Sequence, residues 1–223
     1  MKKLTMLLAV CMFAFAATAQ KGKWVKLFDG KNTDHWHSWT ENEVKGWTIE
    51  DGVLTTEGKS GDLVTNKKYG DFIMEFDFKV SPKGNSGVIY KIIEGDDRKK
   101  YFNTYASGPE YQIIDDVNYP AKITTRQKTG ANYDIYEPSD LTIVKPAGEW
   151  NKGVLKIKDN KVEHWLNGKK VVEYTYGDDQ WKEDVGKSKF AKWEYANAHD
   201  EGHISLQGHG DRVWFRDIRI KEL

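Results

Sequence analysis

The chain has 223 residues with 34 basic and 34 acidic side chains, so its formal net charge is zero and it carries no basic field for nucleic acid. Its one cysteine, Cys11, lies in an apolar N-terminal run, so the rest of the chain forms no internal disulfide and must rest on its core. Nine Trp and eleven Tyr supply many flat amphipathic faces, most of them explained by core packing.

Lys2 and Lys3 precede an apolar run from Leu4 to Ala17, and Ala17-Thr18-Ala19 fits a small-residue cleavage site. This is the pattern of a secretory signal peptide over 1–19, followed by a single domain over 20–223. Val10 is large for the residue before a lipidated cysteine, which argues against lipid on Cys11. Losing Lys2 and Lys3 leaves 32 basic against 34 acidic residues. No later apolar run approaches the roughly 20 residues of a membrane helix. The expectation is a protein exported to the periplasm or beyond, with no integral membrane segment after cleavage.

From Lys23 onward short strands alternate with turn signals. Trp24 to Phe28 reads as a strand, then Gly46 to Glu50 and Gly52 to Thr56 joined through Asp51-Gly52, then Asp62 to Thr65. Phe72, Met74, Phe76, Phe78 and Val80 alternate with Ile73, Glu75, Asp77 and Lys79 in the clearest half-buried strand, and Ser86 to Ile93 returns after a Pro-Lys-Gly-Asn turn. Residues 94–109 and most of 116–149 are irregular, and loops this long are more often functional than idle. Trp150 to Lys158, Lys161 to Leu166 and Lys169 to Tyr174 form a meander. One helix is predicted within 178–194, and Gly202 to Gln207 and Arg212 to Lys221 complete an all-β sandwich of about a dozen strands.

Two stretches carry chemistry. In Gly108-Pro109-Glu110-Tyr111-Gln112-Ile113-Ile114-Asp115, period-two alternation sends Glu110 and Gln112 to one face and Tyr111 and Ile113 to the other. In Gly202-His203-Ile204-Ser205-Leu206-Gln207-Gly208-His209-Gly210, the residues His203, Ser205, Gln207 and His209 share a face. An ordinary solvated sheet face carries Lys, Glu and Thr, whereas His, Gln and Glu between glycines point to a ligand. Glycine at position 87 leaves room for a ligand or for a neighbouring aromatic ring.

Leu27-Phe28-Asp29-Gly30, Asn85-Ser86-Gly87, Glu110 to Asp115, Gly148-Glu149-Trp150-Asn151, His164 to Gly168, and the closing Gly-His-Ile-Ser-Leu-Gln-Gly-His-Gly with Val213 to Ile218 together resemble the 3-keto-disaccharide hydrolase family across the whole mature chain. The resemblance implies a concanavalin A-like jelly roll of two antiparallel sheets, a carbohydrate substrate oxidised to a ketone at C3, and site positions at Glu110, Gln112, Asp115, Gln207 and His209. Lysine at position 91 stands where the family usually has arginine, and it cannot make arginine's bidentate contacts.

A C3 ketone acidifies the C2 hydrogen, so a base, an enolate stabiliser and an acid for the leaving oxygen suffice for elimination. Glu110 or His209 can serve as base, Lys91 or Gln207 as oxyanion stabiliser, and the remaining histidine or Asp115 as acid, with His203 as a further binding residue. A retaining glycosidase needs two carboxylates about 5 Å apart, and the Glu110 strand offers only one. A non-catalytic sugar-binding module remains the alternative from composition and fold alone, with ordinary glycoside hydrolysis a third reading. No cofactor is required. A divalent metal ion held by His203 and His209 with Glu110 or Asp115 is compatible with the chain, although no spacing is diagnostic of zinc. His35 and His37 read as surface residues, His164 as structural, and His199 as rim or bystander.

Mass spectrometry of the exported protein is expected to find an N-terminus near Gln20. An intact N-terminus, or lipid on Cys11, would contradict the signal-peptide reading.

Overall fold

A computed structural model describes residues 22–56, 58, 60–97 and 99–223. The expected signal peptide and Cys11 lie outside the described residues. The strands are Trp24–Lys26 (β1), Trp36–Ser38 (β2), Trp47–Glu50 (β3), Val53–Thr56 (β4), Leu63–Thr65 (β5), Phe72–Val80 (β6) and Asn85–Ile92 (β7). Then come Glu110–Ile114 (β8), Asn151–Lys158 (β9), Lys161–Leu166 (β10), Lys169–Thr175 (β11), His203–Leu206 (β12) and Val213–Glu222 (β13). The helix α1 is Asp179–Gly186.

One sheet runs β11-β10-β9-β6-β13-β4-β3, with β1 paired to the far half of β13, and the other runs β2-β5-β12-β7-β8. All pairings are antiparallel, as expected for a jelly-roll sandwich. The alternation read in the sequence sets the layers. In β6, Phe72, Met74, Phe76, Phe78 and Val80 are buried, and from the facing sheet Val88, Tyr90, Tyr111, Ile113, Ile204 and Leu206 join the same core. Tyr111 meets Phe76 edge to face at 5.4 Å, an arrangement favoured by the ring quadrupoles. The opposite face of the β8, β7 and β12 strands is thereby left for polar groups.

Two features differ from the sequence reading. Trp36–Ser38, not among the strands read from the sequence, is a short edge strand on β5, and Trp36 is buried with its indole N–H donating to Leu27 O at 2.7 Å. The predicted helix is shorter and ends at Gly186. Asp178 caps it by accepting from Trp181 N at 2.7 Å, Trp181 and Val185 turn inward, and 187–193 then run irregularly before a 3₁₀ turn at Glu194–Ala196.

β8 enters its sheet beside β7 through Gly108, where a side chain would collide with the carbonyl oxygen of Tyr90, whose own N–H donates to Pro109 O at 3.0 Å. Backbone cannot yield as a flexible side chain can. Gly108→Ala is therefore expected to destabilise the protein by about 1–3 kcal/mol, the usual range for overpacking, read as a lower urea midpoint with an unchanged slope.

Candidate active site

On the polar face of the β8, β7 and β12 sheet lies a cavity of about 240 Å³. Asn85, Glu110, Gln112, Gln207 and His209 contribute its polar lining. Strand register explains the convergence. Gly87 pairs with Gln112 across β7 and β8, and Gln207 N donates to Gly87 O at 2.9 Å on the other side, so the two glutamines flank a glycine. A Cβ at position 87 would collide with Glu110 Oε1. The room left by Gly87 is taken by this carboxyl group.

Glu110 is buried and accepts no hydrogen bond among the described residues. Burial disfavours its charged form, the nearby charge of Asp62 adds to the effect, and Lys189 opposes it, so the carboxyl is pushed up to about 8. Gln112 is held at both ends, its Nε2 donating to Gln127 O at 3.3 Å and its Oε1 accepting from Ile113 N at 3.2 Å. Gln207 Oε1 and Asn85 Oδ1 have no partner among the described residues. Buried polar atoms left so are expensive, and a bound hydroxyl group would satisfy them. His209 is exposed at the mouth, where Asn85 Nδ2 lies 3.4 Å from its Nε2.

The loops complete the cavity. Tyr105 comes from the 93–109 segment, Tyr133 from 115–150, and Lys189, Phe190 and Trp193 from the stretch after α1. Aromatic packing fixes that stretch: Phe190 stacks on Tyr195 at 4.3 Å and 11°, and Tyr195 on Trp181 at 6.0 Å and 12°. Lys189 Nζ lies 4.3 Å from the centre of the Tyr133 ring. Tyr105, Tyr133 and Lys189 did not stand out in the sequence, because aromatic and lysine side chains in irregular segments carry no periodic signal, whereas Phe190 and Trp193 were read as apolar positions of the helix predicted within 178–194 and instead follow its end at Gly186. Asp62 was also missed. It is almost fully buried, accepts from Thr104 Oγ1 and from Gly208 N at 2.9 Å, and burial pushes it up to about 6 despite those bonds.

Three expected binding residues stand elsewhere. Lys91 sits where β7 bulges against β12, with the register shifting between His203 and Ser205 and with φ at 59°. The bulge turns Lys91, a candidate oxyanion stabiliser from the sequence, away from the cavity, and its Nζ donates to the carbonyl oxygens of Gly70, at 3.1 Å, and Asp200. Burial lowers its pKa. Asp115 accepts from the backbone N–H groups of Lys83, Val117 and Asn118 at 2.8, 3.1 and 3.0 Å. Burial alone would raise that carboxyl, but these donors hold it below the usual range. It ties down two turns. His203 lies beyond the bulge, its Nδ1 2.8 Å from Thr65 O and its Nε2 3.8 Å from Glu94, in a cluster with His37.

The metal set considered from sequence is therefore not assembled, since Glu110 and His209 share the cavity while His203 and Asp115 do not. No group of three His, Cys, Asp or Glu among the described residues is placed to hold a metal ion. His164 is in the core between Tyr90 Oη at 2.8 Å and Gly130 O at 3.0 Å, and His199 is 3.1 Å from Glu194.

A family described as the 3-keto-alpha-glucoside-1,2-lyase-like domain matches residues 23–221. A 3-keto-disaccharide hydrolase of Bacteroides thetaiotaomicron is 35% identical, over 90% of this chain and 78% of that protein. Among solved structures, a candidate glycosyl hydrolase from Parabacteroides distasonis has a TM-score of 0.84 at 39% identity, covering 90% of this chain and 94% of the other. A second from the same organism has a TM-score of 0.71 at 29% identity, covering 90% and 100%.

The Glu110 environment sets a stability test. Folded, the carboxyl keeps its proton up to about pH 8, whereas unfolded it loses it near its ordinary 4.5, so stability falls as pH rises through that window. The corresponding effect of Asp62 ends near its own value of about 6. Between pH 6 and 8 the wild type is expected to lose on the order of 2 kcal/mol that Glu110→Gln does not lose. Urea titrations at the two pH values check it, and parallel slopes for both proteins would contradict the assignment.

Proposed function

The chain belongs to the 3-keto-alpha-glucoside-1,2-lyase-like family and is a glycosidic-bond-cleaving enzyme; from that premise we propose that it cleaves 3-keto-glycosides by elimination across C1–C2 followed by hydration. The observation that carries this reading is that Glu110 is the one carboxyl among the described residues lining the cavity. Paired-carboxylate hydrolysis needs two. Elimination needs one strong base.

Glu110 removes the proton from C2, and the C–H electron pair forms the enolate between C2 and C3. Collapse of the enolate restores the C3 ketone, places a double bond between C1 and C2, and expels the C1 oxygen, which takes a proton to leave as an alcohol. Water then adds at C1 while a proton returns to C2, so the net change is hydrolysis. A carboxyl raised to about 8 is a stronger base than an ordinary glutamate and still ionises near neutral pH. The Gln207 amide and the Lys189 ammonium group face the same cavity and suit the developing oxyanion. His209 at the mouth suits the leaving oxygen. The N-terminal signal pattern supports export, which brings such an enzyme to extracellular glycosides.

Glu110→Gln is expected to lower kcat by about 10²- to 10⁴-fold with the fold intact, and C2 of the substrate is expected to exchange its hydrogen with solvent deuterium only when Glu110 is present. Turnover without exchange or isotope effect at C2 would remove the elimination route. Because ionised Asp62 helps to raise Glu110, kcat/KM is expected to climb toward pH 8 in the wild type and to reach its plateau at lower pH in Asp62→Asn. Superimposable pH profiles would remove that coupling.

A further inference from the structure

Beside the cavity lies an exposed aromatic residue that the reaction above does not use. Phe102 is 44% exposed although its ring packs at 5.8 Å and 78° on Tyr105 and at 5.2 Å and 90° on Trp193, both of which line the cavity. Trp193 in turn meets Phe190 at 5.3 Å. The strip Phe190-Trp193-Tyr105-Phe102 is therefore continuous from inside the cavity to the outer surface.

An apolar ring left in water at the mouth of a site invites an occupant, because covering it releases ordered solvent. The cavity itself holds about 240 Å³, below the roughly 300–1,000 Å³ of pockets that enclose drug-sized ligands. It suits one sugar ring. The second half of a two-ring substrate must then lie outside, over whatever borders the mouth. The platform is also held in place. Lys100 Nζ reaches Glu194 Oε2 at 2.9 Å, clamping the loop that carries Phe102 to the 3₁₀ turn that follows Trp193, and Glu194 is itself buried. A surface fixed in advance loses little entropy on binding.

We propose that Phe102, with the adjoining faces of Tyr105 and Trp193, is the platform for the leaving half of the substrate, and that it selects glycosides whose aglycone contains a ring, sugar or aryl, over those with a small alkyl aglycone. The inference rests on the glycoside reading of the cavity, but it concerns recognition at the mouth and not the chemistry at C2.

Binding measured without turnover tests it. Calorimetric titration of the full mature chain with unoxidised phenyl and methyl glucosides, both anomers of each, is expected to show the phenyl compound binding about 5- to 20-fold more tightly, the scale set by covering the exposed part of one phenyl ring. The difference should collapse in Phe102→Ala and persist in Phe102→Trp, which also guards against a folding defect in the first variant. Equal affinities, no binding of the phenyl compound, or a difference that survives in Phe102→Ala overturns the platform. A protein that shows the difference yet leaves 3-keto-glycosides intact keeps the platform and loses the reaction, so the two failures are distinguishable.

Discussion

A carboxyl group largely buried in a cavity wall, with no hydrogen-bond donor among the described residues, is costly, and Gly87, Tyr111 and Asp62 together set that environment for Glu110. The space it occupies exists because residue 87 has no side chain. Its strand is pinned from behind by Tyr111 against Phe76, so it cannot retreat into the core. The charge nearest in kind, Asp62, is buried as well and is held by Thr104 and Gly208, which belong to different segments around the cavity. Such surroundings raise the pKa of a carboxyl, and the ionised form is then a stronger base than an ordinary glutamate.

The same sheet face shows how one inserted residue redistributes polar groups. On the cavity side of the β7 and β12 bulge, side chains keep the alternation and Gln207 faces the site. Across the bulge, Lys91 turns away to satisfy carbonyl oxygens and His203 joins Glu94 and His37. A bulge shifts every later side chain relative to its partner strand, so residues close in sequence can serve unrelated ends. Asp115, one residue past β8, illustrates a related point. A short acidic side chain next to two turns finds backbone N–H groups before it finds a ligand.

The cavity has two kinds of wall. Strands supply the polar residues, whose positions follow from register, while loops supply Tyr105, Tyr133, Phe190 and Trp193. These loops are not loosely attached. The stack from Trp181 through Tyr195 to Phe190 and the Lys100–Glu194 pair bind them to α1 and to each other. Rigid strands and packed loops together hold the cavity walls in place before a substrate arrives.

Alternation in Phe72 to Val80 and in Glu110 to Ile114, with paired turn residues between strands, was enough to determine an all-β sandwich and to assign Glu110 and Gln112 to one face. Both properties depend on neighbours along the chain, and period two is a local rule. The six ordered motifs carried the family. Only tertiary structure decided that Gly87 makes room for Glu110, that Asp62 lies close enough to raise it, that Lys91 and His203 leave the site, and that aromatic residues from three irregular segments meet at its mouth. Those outcomes turn on strand register, on a bulge and on contacts between segments as much as 146 residues apart, such as Gly208 on Asp62. Distances of that kind are set by the packing of two sheets, and no local pattern encodes them.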